Sequence, residues 1–142
     1  MIIGKNEQAD IILVSLGLKP AAILYNLDKV LIIAPDNKTH EQVEEAVFQK
    51  DTYKTGILMG YPETAVKAFV EKKYIRNVEG EEKLSDEILN DPEHKFLNFR
   101  LSRDNWQEEF KTVKEWARVI KENAPELYEE ILAENVYWGL KK

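Results

Sequence analysis

The sequence predicts an α+β fold: a small, mostly antiparallel sheet of about three strands packed with about four to six helices, its C-terminal part all helical. Three observations carry that expectation. Two short apolar runs, at 21–25 and 29–34, are separated only by turn-forming residues, as in a hairpin. A third stretch, 96–102, alternates with period two. From Trp106 to Ile131, apolar residues recur at alternating steps of four and three, which makes one continuous helical stripe.

Composition frames these elements. A chain of 142 residues is most simply one domain, 1–142. At that size folding buries roughly 70% of the unfolded surface and needs neither metal nor disulfide. Hydrophobic residues at 44% against 32% charged give a globular rather than a disordered balance. The absence of cysteine removes disulfides, thiolate metal sites and thiol nucleophiles together. The opening Met1-Ile2-Ile3-Gly4-Lys5-Asn6-Glu7 lacks the pattern of a signal peptide. No apolar run approaches the roughly 20 residues of a membrane helix. The expectation is a cytoplasmic protein with no membrane partner. A net charge of −6 makes nucleic acid an unfavourable partner.

Along the chain, 6–17 reads as a helix capped by Asn6 and stopped by Gly17 and Pro20. A buried strand over 11–16 is the competing reading of the same apolar run. Strands 21–25 and 29–34 follow, joined through Asn26-Leu27-Asp28. The second is apolar on both faces, which predicts a strand covered on both sides. Thr39-His40-Glu41-Gln42 matches a capping box, and Val43, Ala46 and Val47 continue with helical spacing. Asp51-Thr52 restarts or bends that helix. At Gly60-Tyr61-Pro62-Glu63, glycine suits a turn, proline the first helical position and glutamate the positive end of the dipole. Val66, Phe69 and Val70 then define a buried face. Residues 77–95 read as an exposed acidic connection, with Ser85 capping a short helix through Leu89. Strand 96–102 should bury Leu97, Phe99 and Leu101. Ser102 or Asp104 caps the long stripe, which Pro125 divides into helices over about 104–122 and 125–135. The apolar tail Val136-Tyr137-Trp138-Gly139-Leu140 should dock.

Chemistry is sparsely marked. His40 and His94 stand alone, outside any metal-ligand spacing. No nucleophile elbow, phosphate-binding loop or dinucleotide fingerprint occurs, so no catalytic, metal or cofactor residue is assigned. Arg100, Arg103 and Lys111 flank a strand-to-helix junction beside Trp106, where an anion could be held. Ordinary ion pairing explains the same cluster. The C-terminal stripe, with Trp106 and Phe110, and Trp138 in the tail, is either a core face or a homodimer or partner seam.

The run Leu58-Met59-Gly60-Tyr61-Pro62-Glu63-Thr64-Ala65-Val66-Lys67-Ala68-Phe69 resembles an uncharacterised prokaryotic family, a domain of unknown function with a Gly-Tyr-Pro-Glu-Cys-Cys motif. Gly17-Leu18-Lys19-Pro20-Ala21-Ala22 is similar to a segment near the start of such proteins. Here Thr64 and Ala65 stand in place of the paired cysteines. Any metal or redox role of those cysteines would therefore be lost, whereas a packing role would survive the change. The resemblance implies no activity.

Two functions follow as expectations. The first is a noncatalytic binding or protein-interaction module, possibly homodimeric. The second is a small-molecule enzyme or sensor whose anionic ligand meets Tyr61, Glu63, Arg100 and Arg103 near the Gly-Tyr-Pro joint.

Overall fold

The computed structural model describes residues 4–26, 29–77 and 83–134. The chain divides into two compact units, Met1–Glu63 and Thr64–Lys142. The fold is α+β, with one antiparallel sheet.

The first unit runs α1 (Lys5–Ser15), β1 (Ala22–Asn26), β2 (Lys29–Ile33), α2 (Asn37–Phe48) and α3 (Thr52–Leu58). The apolar run at 11–16 is helical rather than extended. Its stop explains why: Gly17 takes φ +80°, and the Leu18 amide folds back onto the Leu13 carbonyl at 2.9 Å. The helix starts before Asn6. Gly4, not Asn6, is the cap residue, and the Glu7 carboxylate reaches back from inside the first turn to accept from its amide at 3.0 Å.

The hairpin register pairs Ala22 with Ile33 and Leu24 with Leu31; the expected turn residues Leu27 and Asp28 lie outside the described residues. Ile32 and Ala34 pack with Leu58 and Met59 on a core of Ala21, Ile23 and Val43. Strand β2 is not covered on both sides as its composition suggested. Lys29 and Val30 are exposed and 31–33 are half-buried. A two-stranded ribbon has too little cover to bury both faces of one strand.

The Thr39 capping box does not form. Asp36 caps α2 instead, accepting from the Thr39 amide at 2.7 Å. Its carboxylate lies three residues ahead and places Thr39 inside the first turn. That amide bond holds the Asp36 carboxyl below its ordinary range. Val43 and Ala46 are buried, as helical spacing requires. Asp51 restarts the chain as α3 by accepting from the Lys54 amide at 3.0 Å.

Helix α4 (Glu63–Val70) leads into the second unit, which continues through α5 (Asp86–Leu89), a 3-10 helix (Pro92–Phe96), α6 (Trp106–Asn123) and α7 (Pro125–Leu132). Helix α4 buries Ala65, Val66 and Ala68. Phe69 and Val70, expected to be buried, are largely exposed, and Phe69 lies against Tyr74 with ring centroids 5.0 Å apart. Within 83–95, Ser85 caps α5 as expected, accepting from the Glu87 amide, while Leu84 and Ile88 are buried. Residues 78–82 of the acidic stretch lie outside the described residues.

The third strand is absent. Asp91-Pro92 starts a 3-10 helix that absorbs Phe96, and only an isolated antiparallel bridge, Tyr74 with Ser102, remains of the pairing. The alternation placed one buried face correctly, since Leu97, Phe99 and Leu101 are buried and Arg100 is exposed, but Phe96 on the opposite face is buried as well. Among the described residues, the sheet has two strands rather than three, and the α-helices number seven. The break at Ala124 before Pro125 is where the sequence expected it. Helix α6 buries Phe110, Val113, Trp116, Ala117 and Ile120 on its stripe. No helix among the described residues is long and apolar enough to cross a membrane.

Candidate functional site

In the first unit, the Gly-Tyr-Pro joint is built around Lys19. The side chain of Lys19 is 1% exposed, and its Nζ donates to Asp10 Oδ1 at 2.8 Å from the middle of α1. The ammonium also lies 5.3 Å from the centroid of the Tyr61 ring. Gly60 makes the approach possible. It takes φ +82°, and a Cβ there would sit 3.0 Å from Lys19 Cγ and 3.2 Å from Pro20 Cδ. Any other residue at position 60 would meet both backbone strain and the lysine stem. Burial pushes the Lys19 amine below the ordinary lysine value, and the Asp10 carboxylate offsets this only in part.

Tyr61 is half-buried. Glu63 is exposed and accepts from the Tyr53 hydroxyl at 2.5 Å, which raises the Tyr53 phenol. Lys19 and Asp10 did not stand out in the sequence, yet a signal existed. Asp10 is the one charge in the otherwise apolar stretch 9–14 of α1, where a buried carboxylate calls for a cation.

At the corner between α2 and α3 the surface turns apolar. Phe48 is 87% exposed, with Val47 beside it and Tyr53 opening the next helix, both also exposed. Here too the sequence held a clue: Phe48 falls off the helical phase set by Val43 and Ala46.

In the second unit, Arg100 and Arg103 are both exposed. The Arg100 guanidinium lies 6.0 Å from the Tyr74 ring centroid, and the Arg103 amide donates to the Lys73 carbonyl. Tyr61 and Glu63 belong to the first unit and the two arginines to the second. Trp106 is half-buried and Phe110 is buried; Trp138 and the rest of the tail 136–140 lie outside the described residues.

The same unit buries a carboxylate. Glu109 is 1% exposed; its Oε1 accepts from the Ser102 amide at 2.7 Å, and its Oε2 accepts from the hydroxyls of Ser102 and Thr64, both at 2.6 Å. Nearby, Lys114 bridges Asp91 at 2.8 Å and Glu93 at 2.6 Å, and Glu93 also accepts from the Tyr128 hydroxyl. Burial and then the Glu93 bond push the Tyr128 phenol up to about 12. Beside this network an open groove of about 460 Å³ runs along α6, lined by Lys111, Lys114, Arg118 and Lys121 with Glu93 and Glu115. Its cations are mostly engaged. Lys111 pairs with Glu108, and Arg118 with Glu115 and Glu122. His94 directs Nδ1 at the Asp91 carbonyl, 2.8 Å away. Among the described residues, no cluster of three or more His, Asp or Glu side chains is placed to hold a metal.

No family model matches the chain, and no curated protein or solved structure matches it either.

Proposed function

We propose that the protein is a cytoplasmic, noncatalytic binding module that engages a protein partner through the α2–α3 corner. The observation that carries this reading is Phe48, whose ring is 87% exposed at the end of a regular helix. Displaying an aromatic ring forgoes roughly 1.5–3 kcal/mol of burial, which an interface would recover. The chemically capable groups support the same reading. Lys19 and Glu109 are each held in bonds that shape the chain, at 2.8 Å to Asp10 and 2.6 Å to two hydroxyls.

The test compares wild type with Phe48→Ala as baits, followed by direct titration of any purified partner. A partner whose affinity falls at least about tenfold with the substitution supports the module. Partners bound equally by both proteins, or none of any kind including a second copy, would overturn it.

A second reading, a small-molecule enzyme or sensor at the joint, draws on Lys19: a desolvated amine beside a carboxylate and a phenol is a recurrent reactive arrangement. It is separable by experiment. A metabolite that raises the melting temperature of wild type and of Phe48→Ala, but not of Tyr61→Ala, would favour this reading over the first.

The likeness to the Gly-Tyr-Pro-Glu-Cys-Cys family belongs to the same proposal. The two segments that carry it, 17–22 and 58–69, meet at Lys19 and Gly60. Thr64, in place of the first cysteine, donates to Glu109. A packing role for that position fits both observations.

A further inference from the structure

The α2–α3 corner carries more than an exposed ring. Glu44 and Glu45 lie four and three residues before Phe48, so they share its side of α2. Lys50 and Lys54 follow it, on the turn and on the first turn of α3, and all four are exposed. The corner is thus a short dipolar strip, acidic before the aromatic ring and net basic after it, where the exposed Asp51 that caps α3 stands between the two lysines. Among the described residues, Glu44, Lys50 and Lys54 make no ion pair within the chain. Lys50 is also held at φ +57°, the residue just past a helix end where glycine is the unstrained choice. Keeping a lysine there costs about 1 kcal/mol of backbone strain and places a cation beside the ring.

A strip with opposite charges on either side of an apolar centre is complementary to itself when turned by a two-fold axis. We propose that this corner docks a second copy of the chain. In the dimer Phe48 packs against Phe48 at the axis, and Glu44 and Glu45 of each copy face Lys50 and Lys54 of the other. This rests on the binding-module reading and names its partner. Phe48 with the less exposed Val47 and Tyr53 makes a small centre, well below the roughly 800 Å² per partner of a stable complex. The dimer is therefore weak, reversible and sensitive to salt.

Sedimentation equilibrium from low to high micromolar concentration tests the pairing. Wild type should shift toward dimer at the upper end, and less so in high salt. Phe48→Asp should remain monomeric with an unchanged circular dichroism spectrum. Two charge variants make the decisive arm: Lys50→Glu with Lys54→Glu, and Glu44→Lys with Glu45→Lys. Each alone sets like charges against each other and should be monomeric, whereas an equimolar mixture restores opposite charges on both flanks and should form a heterodimer about as tight as the wild-type homodimer. A monomeric wild type at high micromolar concentration, a dimer indifferent to Phe48→Asp, or a mixture that does not associate would each overturn the pairing. If wild type is monomeric but still binds another protein through Phe48, the dimer is refuted and the binding-module reading stands.

Discussion

Lys19 in the first unit and Glu109 in the second solve one problem in opposite ways. Both are nearly completely buried. Lys19 meets the Asp10 carboxylate and the face of an aromatic ring. Glu109 meets a backbone amide and two hydroxyls. A hydroxyl rotates to donate or accept, so the Glu109 pocket adapts to a neutral side chain. Asp10 has less freedom: a carboxylate can only accept, and losing the lysine takes away a countercharge that offsets its burial. The lesson is that equal burial does not mean equal fragility: the partners decide.

Substitutions that strip each pair break this comparison most sharply. Lys19→Met should lower stability by about 3–5 kcal/mol, the usual cost of removing one partner of a buried ion pair. Adding Asp10→Leu should restore most of it, since replacing both partners by apolar groups is often neutral. Denaturant titration reads both, and equal losses in the single and double variants would show that the pair does not act as a unit. Next in size is Gly60→Ala. Its Cβ would fall 3.0 Å from the Lys19 stem at φ +82°, so a loss of about 2 kcal/mol is expected. In a Lys19→Met background the steric part should persist, because the clash is with the stem rather than the ammonium.

Glu109→Gln should cost only about 1 kcal/mol, as its amide finds both an acceptor and a donor among the two hydroxyls. Glu109→Ala, which orphans the Ser102 amide, should cost about two to three times as much. If Gln proves as damaging as Ala, the pocket depends on negative charge and the contrast with Lys19 disappears.

The smallest effect is expected at Lys114, a middle case in which a 42% exposed ammonium bridges two carboxylates. Burial alone would raise the Asp91 carboxyl, but the Lys114 bond and the Glu93 amide outweigh it and hold it below its ordinary value. Burial likewise pulls the Lys114 amine down, and its bonds to Asp91 and Glu93 raise it above the ordinary value. Asp91 therefore stabilises the fold above the ordinary carboxylate range, and that contribution is lost as pH falls through its folded value. The Lys114 contribution is complete below the ordinary lysine value and is lost only as pH rises through its folded value. Solvent screening keeps the sum below about 1 kcal/mol. Melting curves of Lys114→Met should converge with wild type as pH falls through the folded Asp91 value; a constant gap across the acid range would place its role in packing rather than charge.

What was legible in the sequence followed from periodicity and local stereochemistry. The α6 stripe, the Ala124–Pro125 break and the Ser85 cap all depend on residues within a few positions of one another. So does the burial of Leu97, Phe99 and Leu101, although the strand expected to present them does not exist. An alternating apolar face can be buried without a strand, which also requires a neighbour to pair with, and here Phe96 on the opposite face is buried too. Capping was legible in kind but misplaced: Asp36 outcompeted Thr39, and Glu7 acted from inside the helix.

By itself, the sequence determined the elements, their stops and most of the apolar faces, because these are set by steric and hydrogen-bonding rules that act within one or two turns. It also marked Gly60-Tyr61-Pro62-Glu63 as a turn into a helix start. Only the tertiary structure decided what packs against that turn. Asp10, Lys19 and Tyr61 are separated by 9 and then 42 residues, and no local rule brings them together. A buried ammonium must find its carboxylate wherever the fold supplies one, and glycine at position 60 leaves the space in which that pairing closes.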